Sequence, residues 1–312
     1  MKNKKILSIG TMYLDINCLI FPFEKGLYKN REVVGNQYNL DLGGSALNFA
    51  KIAAQLQLET FFLGKTGDDK ISEILLSLLH NKNINPLIVF DKYAQTNISI
   101  HYIHKNGSSI MSSCGDANQS ITIKEIENKI FPILNSIDYL YLGGIFKLKN
   151  ILPYLKDLLK KIKKKKVKII LDHGRVNNKV SSKDIKYLKN IFPYIDIYLP
   201  SIDEFLDVWG INLKEAMIEM RKISAPLTII KKSKNGSVCF IDNKIISVKA
   251  FKINPINTVG AGDSFNAGFI KAYSEDMSIE NSIKYASAVA AIKISDNNLN
   301  MNKIRKLYLS RS

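Results

Sequence analysis

The chain has 312 residues, of which 46% are hydrophobic and 23% are charged, and its formal net charge at pH 7 is +17. This composition is typical of a globular protein with a sizeable core, and it excludes a wholly disordered or collagen-like chain. No apolar run approaches the ~20 residues of a membrane-spanning helix, and Ile6–Ile9 is too short for a signal peptide, so we expect a cytoplasmic protein. The cysteines, Cys18, Cys114 and Cys239, lie far apart and predict free thiols.

Short apolar runs alternate with helical stretches along most of the chain. This succession predicts a mostly parallel sheet with helices on both faces. The predicted strands are Ile6–Gly10, Thr60–Gly64, Ile137–Leu142, Val167–Leu171, Ile195–Leu199 and Leu227–Lys231. The predicted helices are Ala46–Leu58, Asp68–Asn81 and stretches around 150–164, 181–192 and 202–222.

Two segments, 11–42 and 93–114, lack this rhythm. Within the second, the alternation over Thr96–His104 predicts a half-exposed antiparallel strand. Asn106-Gly107 follows that strand and is typical of a hairpin turn. The two segments could therefore pair into a small sheet beside the main one.

The positive charge is concentrated in one region. Residues 147–189 contain 15 Lys or Arg and 3 Asp or Glu, so +12 of the net charge falls in this stretch. The pattern favours a helix with a solvated lysine face, followed by a strand. The alternative, a patch for a polyanion, lacks the aromatic residues that would stack on nucleic-acid bases.

The strongest chemical motif is Asn257-Thr258-Val259-Gly260-Ala261-Gly262-Asp263-Ser264-Phe265. Three small residues before a helix let backbone N–H groups turn outward together and form an anion hole at the helix N-terminus. An aspartate at this place would accept a proton from an attacking hydroxyl beside a bound phosphoryl group. The alternative is a glycine-rich helix entry in which Asp263 is only an N-terminal charge.

Two further motifs carry weaker signals. Gly43 and Gly44 open a helix and allow close approach of a ligand, and Asn48, one turn later, could meet hydroxyl groups. The alternative is a tight turn with an exposed Asn48. Ser201 and Glu204 follow a predicted strand, where Glu204 could hold Mg²⁺ through water or could simply be the acidic first turn of a helix.

Taken together, these motifs resemble the ribokinase, or PfkB-type, carbohydrate kinases from Gly10 to about Ser295. The stretch Gly43-Gly44-x-x-x-Asn48, followed by Gly64-x-x-Gly67-Asp68, is similar to the first signature of that family. The motif that contains Asp263 is similar to the second signature. Lys231-Lys232-Ser233-Lys234-Asn235-Gly236 lies where members of the family have a nucleotide loop.

The resemblance implies a single ribokinase-like domain over residues 1–312, a three-layer α/β/α fold with a small β lid at about 11–42 and 93–114. It also implies phosphoryl transfer from ATP, with Mg²⁺, to a primary hydroxyl of a small carbohydrate. The implied site residues are Asp263 as general base; Gly260, Ala261 and Gly262 as anion hole; Asp15, Asn17, Gly43, Gly44 and Asn48 for substrate; Lys231, Ser233, Gly236 and Thr258 for the nucleotide; and Glu204, through water, for the metal.

The chain departs from the family pattern at several positions. Ser201 replaces a usual Asn, Ser233 replaces a common Gly, and Asp296-Asn297-Asn298 lacks a usual Gly. Asn257 replaces the Asp that helps to shape the cation loop in members activated by a monovalent ion, so the resemblance does not extend to K⁺.

Several alternatives stay open from the sequence. The nearest is a nucleoside kinase, and the others are a sugar-binding regulator without turnover and a basic nucleic-acid-binding protein. We expect a sugar or nucleoside as partner, no membrane and no nucleic acid, with homodimerisation through the lid left open. Of the remaining residues, His101 or His104 on the predicted lid could touch substrate, and Arg175 could reach a phosphate.

Overall fold

Most strands of the main sheet are short apolar runs. The structure, a computed structural model, describes residues 4–20, 35–103, 109–175, 180–210, 212, 215, 218–219, 227–241, 244–296 and 299–310. Within these ranges the strands are β1 (Lys5–Gly10), β2 (Tyr13–Ile20), β3 (Gly35–Gly43), β4 (Glu59–Leu63), β5 (Lys65–Gly67), β6 (Ile84–Pro86), β7 (Val89–Asp91), β8 (Ile98–Ile103), β9 (Ser109–Cys114), β10 (Tyr139–Gly143), β11 (Lys168–Asp172), β12 (Ile197–Tyr198), β13 (Leu227–Lys231), β14 (Ser237–Ile241) and β15 (Lys244–Val248).

The main sheet has the strand order β15-β14-β13-β12-β11-β10-β1-β4-β6 in the described part of the chain. All neighbours from β13 to β6 are parallel, and only β14 and β15 run antiparallel to the strands beside them. The prediction of a mostly parallel central sheet is therefore confirmed. Parallel strands present their carboxyl ends at one edge, which is where ligands bind in open α/β sheets.

Helices cover both faces of this sheet because its strands are apolar on both sides. Leu140 and Leu142 of β10 belong to the core on one face, whereas Tyr139 and Tyr141 belong to the core on the other. In the described residues, none of the helices is long and apolar enough to cross a membrane. The helices are α1 (Ser45–Gln55), α2 (Lys70–His80), α3 (Ala117–Ser120), α4 (Ile123–Ile130), α5 (Leu155–Lys163), α6 (Ser182–Ile191), α7 (Ile202–Trp209), α8 (Ala261–Ser274), α9 (Ile279–Ser295) and α10 (Met301–Leu309).

A second sheet, in the order β3-β2-β8-β9, is built from the two segments that break the helical rhythm. Strand β8 is antiparallel to β9 but parallel to β2, so the expected antiparallel pairing holds on one side only. Ser99 and His101 of β8 are buried while Ile98 and Ile100 are half-buried, so the polar face is the more enclosed one. The predicted turn at Asn106-Gly107 lies outside the described residues.

Two predicted helices are shorter in the structure. Helix α1 ends at Gln55, and Gln57 then adopts a left-handed φ of 65° that an α-helix does not accommodate. Helix α7 ends at Trp209 because Gly210 takes the left-handed conformation that terminates many helices. The predicted helical stretch around 202–222 is therefore interrupted at Gly210, and most of 211–222 lies outside the described residues.

The lysine-rich region folds as a partly exposed helix followed by a strand. Helix α5 buries Leu155, Leu158, Leu159 and Ile162, and its lysines lie on the opposite side. Two of them are paired, Lys161 with Glu127 and Lys163 with Asp196. This amphipathic arrangement is the solvated lysine face that the sequence favours.

Replacing Leu159 by Ala is expected to lower the free energy of unfolding by roughly 2–5 kcal/mol, the usual cost of truncating a buried leucine. Leu159 is fully buried in the core under α5. Lys160→Ala on the exposed side is the matched control and is expected to change stability by no more than about 0.5 kcal/mol. Denaturant unfolding followed by circular dichroism measures both, and equal effects would contradict this placement of α5.

Candidate active site

Two helix N-termini that are distant in sequence meet at the carboxyl edge of the main sheet. Ser45 is the first residue of α1, and its hydroxyl donates a hydrogen bond to Asp263 Oδ1 in the first turn of α8, at 2.9 Å. The glycine pair of the first motif and the Gly-Ala-Gly turn of the second are thereby brought together. The sequence did not indicate Ser45 as a site residue.

The first motif needs glycine because Asp15 packs directly against it. A Cβ built on Gly43 would lie 1.9 Å from Asp15 Oδ1, so no side chain fits there. Asp15 and Gly43 come from the paired strands β2 and β3. Gly44 has a φ of 97°, and a Cβ there would lie 2.4 Å from the Thr11 carbonyl oxygen. Both glycines are therefore required by the backbone geometry around Asp15.

One pocket joins the predicted substrate residues to the predicted anion hole. Asp15, Asn17 and Asn48 line it on one side and Gly260 on the other. The complete lining is Asp15, Asn17, Asp41, Leu42, Asn48, Lys51, Ile52, Asn257, Val259, Gly260, Ser264 and Lys293. Polar groups from β2, α1 and the loop before α8 thus converge on a common space.

The N-terminus of α8 is open for an anion. Gly260 precedes the helix with a left-handed φ of 75°, and no side chain caps the helix. A Cβ on Gly260 would have no neighbouring atom within 4 Å, so the loop borders free space. Asn257 holds the loop by accepting a hydrogen bond from the backbone N–H of Val259 at 2.9 Å. Uncapped N–H groups and the helix dipole make this turn suitable for binding phosphate.

Asp263 is a carboxyl group that titrates near neutral pH. Burial, with the negative charge of Asp172 as the second cause, raises its pKa to about 7. Lys231 and the hydrogen bond from Ser45 oppose this rise. A carboxyl group with such a pKa can accept and release a proton at physiological pH.

A buried polar network lies beneath Asp263. The Lys231 ammonium donates to Asp172 Oδ2 at 2.8 Å and to Asn266 Oδ1 at 3.1 Å. Asn266 in turn donates to Asp172 and to the Tyr141 hydroxyl. Burial alone would lower the pKa of Lys231, but Asp172 and Glu204 hold it above its usual value. Burial alone would raise the pKa of Asp172, but Lys231 keeps it below its ordinary range.

This network holds Lys231, which the family resemblance implies as a nucleotide contact, in a buried position. Its ammonium is enclosed next to the anion loop, about 3.5 Å from where a Cβ on Gly262 would lie. Asp172, Asn266 and Tyr141 were not predicted as site residues. Two sequence features could have identified Asp172 and Asn266. Asp172 lies at the end of a buried strand, and Asn266 lies one turn after Asp263.

The segment between β13 and β14 makes a tight turn. Ser233 has a left-handed φ of 51°, which explains why glycine is favoured at this position. Gly236 is required by packing, since a Cβ there would lie 2.0 Å from the Val248 carbonyl oxygen. Thr258 contributes its carbonyl oxygen, which accepts from the Ala261 N–H at 3.3 Å. A second cleft beside this turn is lined by Lys234, Ala250, Phe251, Lys252, Ile253 and Asn254.

Glu204 is engaged in capping α7. Its Oε2 accepts from the Ser201 N–H at 2.7 Å, and Ser201 Oγ accepts from the Glu204 N–H at 3.3 Å. This capping box is the helix-entry alternative considered for the motif. The Glu204 charge nevertheless acts on Lys231 and His173, so it lies near the network. Among the described residues, no three His, Cys, Asp or Glu side chains are grouped to hold a metal ion.

Comparison with known proteins identifies the family. The model of the pfkB family carbohydrate kinases matches residues 3–304. The chain therefore belongs to the pfkB family of carbohydrate kinases, which are phosphotransferases with an alcohol group as acceptor. The resemblance seen in the sequence is confirmed.

Relatives and solved structures agree with this membership. The chain is 23% identical to the 2-dehydro-3-deoxygluconokinase of Haemophilus influenzae, over 98% of each chain. It is 26% identical to the 5-dehydro-2-deoxygluconokinase of Bacillus subtilis, over 93% of this chain and 90% of that one. The structure of Arabidopsis thaliana ribokinase complexed with ribose and ATP matches with a TM-score of 0.75 and 20% identity, over 99% of each chain. These similarities confirm the ribokinase-like three-layer fold.

Replacing Asp263 by Asn is expected to stabilise the protein more at pH 8 than at pH 5. The pKa of Asp263 is about 7 in the folded protein and near 3.8 in the unfolded chain, so unfolding becomes more favourable as the pH rises from about 4 to about 7. Asparagine removes this penalty, which is on the order of 1 kcal/mol for each pKa unit. Thermal unfolding at the two pH values measures the difference.

The exposed carboxylate of Asp203 provides the control, since Asp203→Asn should shift the melting temperature equally at both pH values. A stabilisation by Asp263→Asn that does not depend on pH would contradict the raised pKa.

Proposed function

We propose that the protein is an ATP-dependent sugar kinase in which Asp263 removes the proton from a primary hydroxyl of the sugar. The observation that carries this proposal is the position of Asp263, with a pKa of about 7, in the first turn of the uncapped helix α8. Its neighbours Gly260 and Ser264 line the polar pocket. A base with this pKa is ionised in a large fraction of molecules at pH 7 and can accept a proton from an alcohol. The Ser45 hydroxyl orients the Asp263 carboxylate by donating a hydrogen bond to Asp263 Oδ1.

The sugar is bound in this proposal by the polar residues of β2, β3 and α1. Asp15 accepts hydrogen bonds from sugar hydroxyls, and the absence of a side chain at Gly43 leaves room for the Asp15 carboxylate. Gly44 permits the close approach of the Thr11 backbone next to it. Asn48 and Asn17 line the same pocket and can each donate and accept. The hydroxyl to be phosphorylated then lies toward Asp263.

The backbone N–H groups at Gly260, Ala261 and Gly262 would stabilise the charge that develops on the transferred group. The open space around Gly260 and the lack of a side-chain cap fit a phosphate at this turn. Such preorganised donors are among the largest contributions to enzymatic rate. Lys231 contributes from below, since its ammonium lies next to Gly262.

ATP with Mg²⁺, when bound, supplies the phosphoryl group and neutralises part of its charge. The cleft lined by Lys234 and Phe251 fits the nucleotide end, beside the turn that contains Ser233 and Gly236. Thr258 completes the loop by holding Ala261. Magnesium in kinases is held largely by phosphate oxygens and water, which agrees with Glu204 as a carboxylate that acts through water. Members of the family that are activated by a monovalent ion have an Asp at the position of Asn257. Since Asn257 carries no charge, we do not propose K⁺ as an activator.

We also propose that the sheet β3-β2-β8-β9 acts as a lid within a single kinase domain. It carries Asp15 and Asn17 on β2, so closure of the lid would bring these two side chains to the sugar. A lid that closes over the sugar would keep water away from the phosphoryl group.

The outer strands β3 and β9 expose Tyr38, Ile110 and Met111, which favours homodimerisation through the lid. Light scattering after size exclusion, before and after Tyr38→Lys, tests that association.

A nucleoside kinase is the second candidate, because Asp15 and Asn48 fit a ribosyl group as well as a free sugar. A panel of sugars and nucleosides, assayed by ADP formation with ATP and Mg²⁺, separates the two. The proposed function would be wrong if no sugar gave ADP above the background hydrolysis.

Asp263→Asn is expected to lower kcat by at least ~10²-fold, the scale of losing a general base. Asparagine can still accept the hydrogen bond from Ser45, so ATP binding should remain near normal. Steady-state kinetics and nucleotide titration measure the two quantities, and Asp203→Asn serves again as control. Unchanged turnover would refute the assignment of the base.

The value of kcat/KM is expected to fall as the pH is lowered through about 7, because protonation of Asp263 removes the base. Below that pH the loss should approach tenfold per pH unit, as for any single ionisation. The residual activity of Asp263→Asn should lack this dependence. A wild-type profile that is flat between pH 5.5 and pH 8 would contradict the raised pKa of the base.

A further inference from the structure

Asn118 of α3 is a buried side chain that pairs with both backbone polar groups of Met12. Its Oδ1 accepts a hydrogen bond from the Met12 N–H at 3.1 Å, and its Nδ2 donates one to the Met12 carbonyl oxygen at 3.0 Å. Both residues are only 1% exposed, so water does not compete for these groups. A carboxamide carries a donor and an acceptor side by side, which neither a carboxylate nor an apolar side chain provides. The pairing therefore requires the chemistry of asparagine.

Met12 is the residue from which the chain enters the second sheet. Strand β1 of the main sheet ends at Gly10, and β2 of the second sheet begins at Tyr13. Asp15, the proposed sugar ligand, is the third residue of β2. Because an extended strand advances about 3.3 Å per residue and is fixed by its pairing, the place of Met12 sets the place of Asp15.

A second buried asparagine connects this contact to β8 and β9. Asn97 Oδ1 accepts a hydrogen bond from the Asn118 N–H at 2.8 Å, and the Asn97 carbonyl oxygen accepts one from the Leu14 N–H at 3.0 Å. Asn97 Nδ2 donates to the carbonyl oxygen of Cys114, the last residue of β9, at 3.4 Å. The start of β2, the start of β8 and the end of β9 thus meet at one point. We call it the strand junction and define it as Met12, Asn97 and Asn118.

Two of the strands that leave this junction carry the side chains around the Asp15 carboxylate. Strands β2 and β8 are paired so that Asp15 lies opposite Ser99. His101 Nε2 lies 3.6 Å from Asp15 Oδ1 and 3.1 Å from Ser99 Oγ. All three side chains are buried. A displacement of either strand at the junction would therefore change what surrounds the Asp15 carboxylate.

The junction also packs against the first glycine motif. A Cβ on Gly44 would lie 2.9 Å from the Cα of Met12, and a Cβ on Gly43 would lie 1.9 Å from Asp15 Oδ1. Met12 is in close contact with the glycine turn, and the same turn contacts the Asp15 carboxylate. Met12 thus affects the position of Asp15 both through β2 and through this turn.

We infer that Asn118 is a positioning residue for the sugar: by holding both backbone groups of Met12, it fixes the start of β2 and thereby the place of the Asp15 carboxylate in the pocket. The inference rests on the proposed kinase function and deepens it. Asn118 itself does not line the pocket, so it acts through Met12 and not by touching the sugar. A role in stability alone would leave the affinity for the sugar unchanged in the molecules that remain folded.

Asn118→Leu keeps the approximate size of the side chain and removes both hydrogen bonds to Met12. We expect it to raise the KM for the sugar by about tenfold or more, because a misplaced Asp15 loses hydrogen bonds to the sugar hydroxyls. The KM for ATP and kcat should change by less than about threefold, since Ser45 and Asp263 are held from α1 and α8. Steady-state kinetics measure these constants with ribose, fructose and 2-dehydro-3-deoxygluconate as probes, of which the one that the wild-type protein turns over fastest is used.

Gln119→Ala is the matched control, because Gln119 is the exposed neighbour of Asn118 on α3 and should leave all three constants unchanged. Leu159→Ala controls for destabilisation, since it weakens the core under α5 and should also leave the KM for the sugar unchanged. An unchanged KM for the sugar in Asn118→Leu, or a KM for ATP that rises equally, would overturn the inference.

Asn118→Ala takes the place of Asn118→Leu if that variant does not fold. The smaller side chain leaves space for water at the two Met12 groups, so the fold is expected to survive while Met12 is no longer fixed. The same split between the two KM values is expected. Failure of both variants to fold would assign Asn118 to stability alone and would likewise overturn the inference.

Hydrogen exchange of the protein without substrates separates this inference from the proposed function. In the Asn118 variant, exchange over residues 11–20 should be about tenfold faster or more, whereas residues 5–10 of β1 should exchange as in the wild type. If no sugar yields ADP but this difference in exchange is found, the role of Asn118 at the strand junction stands and the kinase function fails. If the wild type phosphorylates a sugar and exchange over residues 11–20 is unchanged in the variant, the kinase function stands and the inference fails.

Discussion

The hydrogen bond between Ser45 and Asp263 joins the two halves of the site. It connects the first residue of α1 to the first turn of α8, and both helices begin at turns built from small residues. Since the two motifs are more than 200 residues apart in the chain, only the parallel sheet beneath them can hold their helix ends at this distance. The polar pocket, the open anion loop and the environment of the carboxylate all follow from this meeting of helix ends.

Burial is the main reason that the pKa of Asp263 is raised to about 7, and the buried pair Lys231–Asp172 modulates that rise. Asp172 contributes negative charge that raises the pKa of Asp263, and Lys231 moderates this rise while filling the space below Gly262. Breaking such a pair leaves an uncompensated buried charge and is usually strongly destabilising. The network therefore links the stability of this region to the proton affinity of the proposed base.

The large positive charge of the chain has two structural components with different consequences. The lysines of α5 lie on an exposed helix face, where solvent and ion pairs with Glu127 and Asp196 reduce their effect. Lys147 belongs to the same lysine-rich stretch of sequence but is enclosed beside Tyr13. A charge count over the sequence cannot distinguish these cases, because the distinction depends on burial.

The amino-acid sequence was sufficient to predict the fold class, the order of most strands and helices, and the two glycine-containing motifs, of which the second contains Asp263. These features depend on hydrophobic periodicity and on the special backbone conformations of glycine, which are local properties of the chain. The end of α1 was less well predicted, because the left-handed residue after it is Gln57, which gives no such signal. The end of α7 at Gly210 could have been predicted, since glycine is the usual residue at that position.

The set of distant side chains that share the site depends on the folded arrangement of the chain. Ser45, Asp172, Asn266 and Tyr141 come from separate elements, and their hydrogen bonds exist only once the strands are in register. The enclosure of Lys231 and the capping role of Glu204 were likewise set by packing. The physical reason is that desolvation and the distance between charges govern the electrostatics of a site, and both are properties of the folded arrangement.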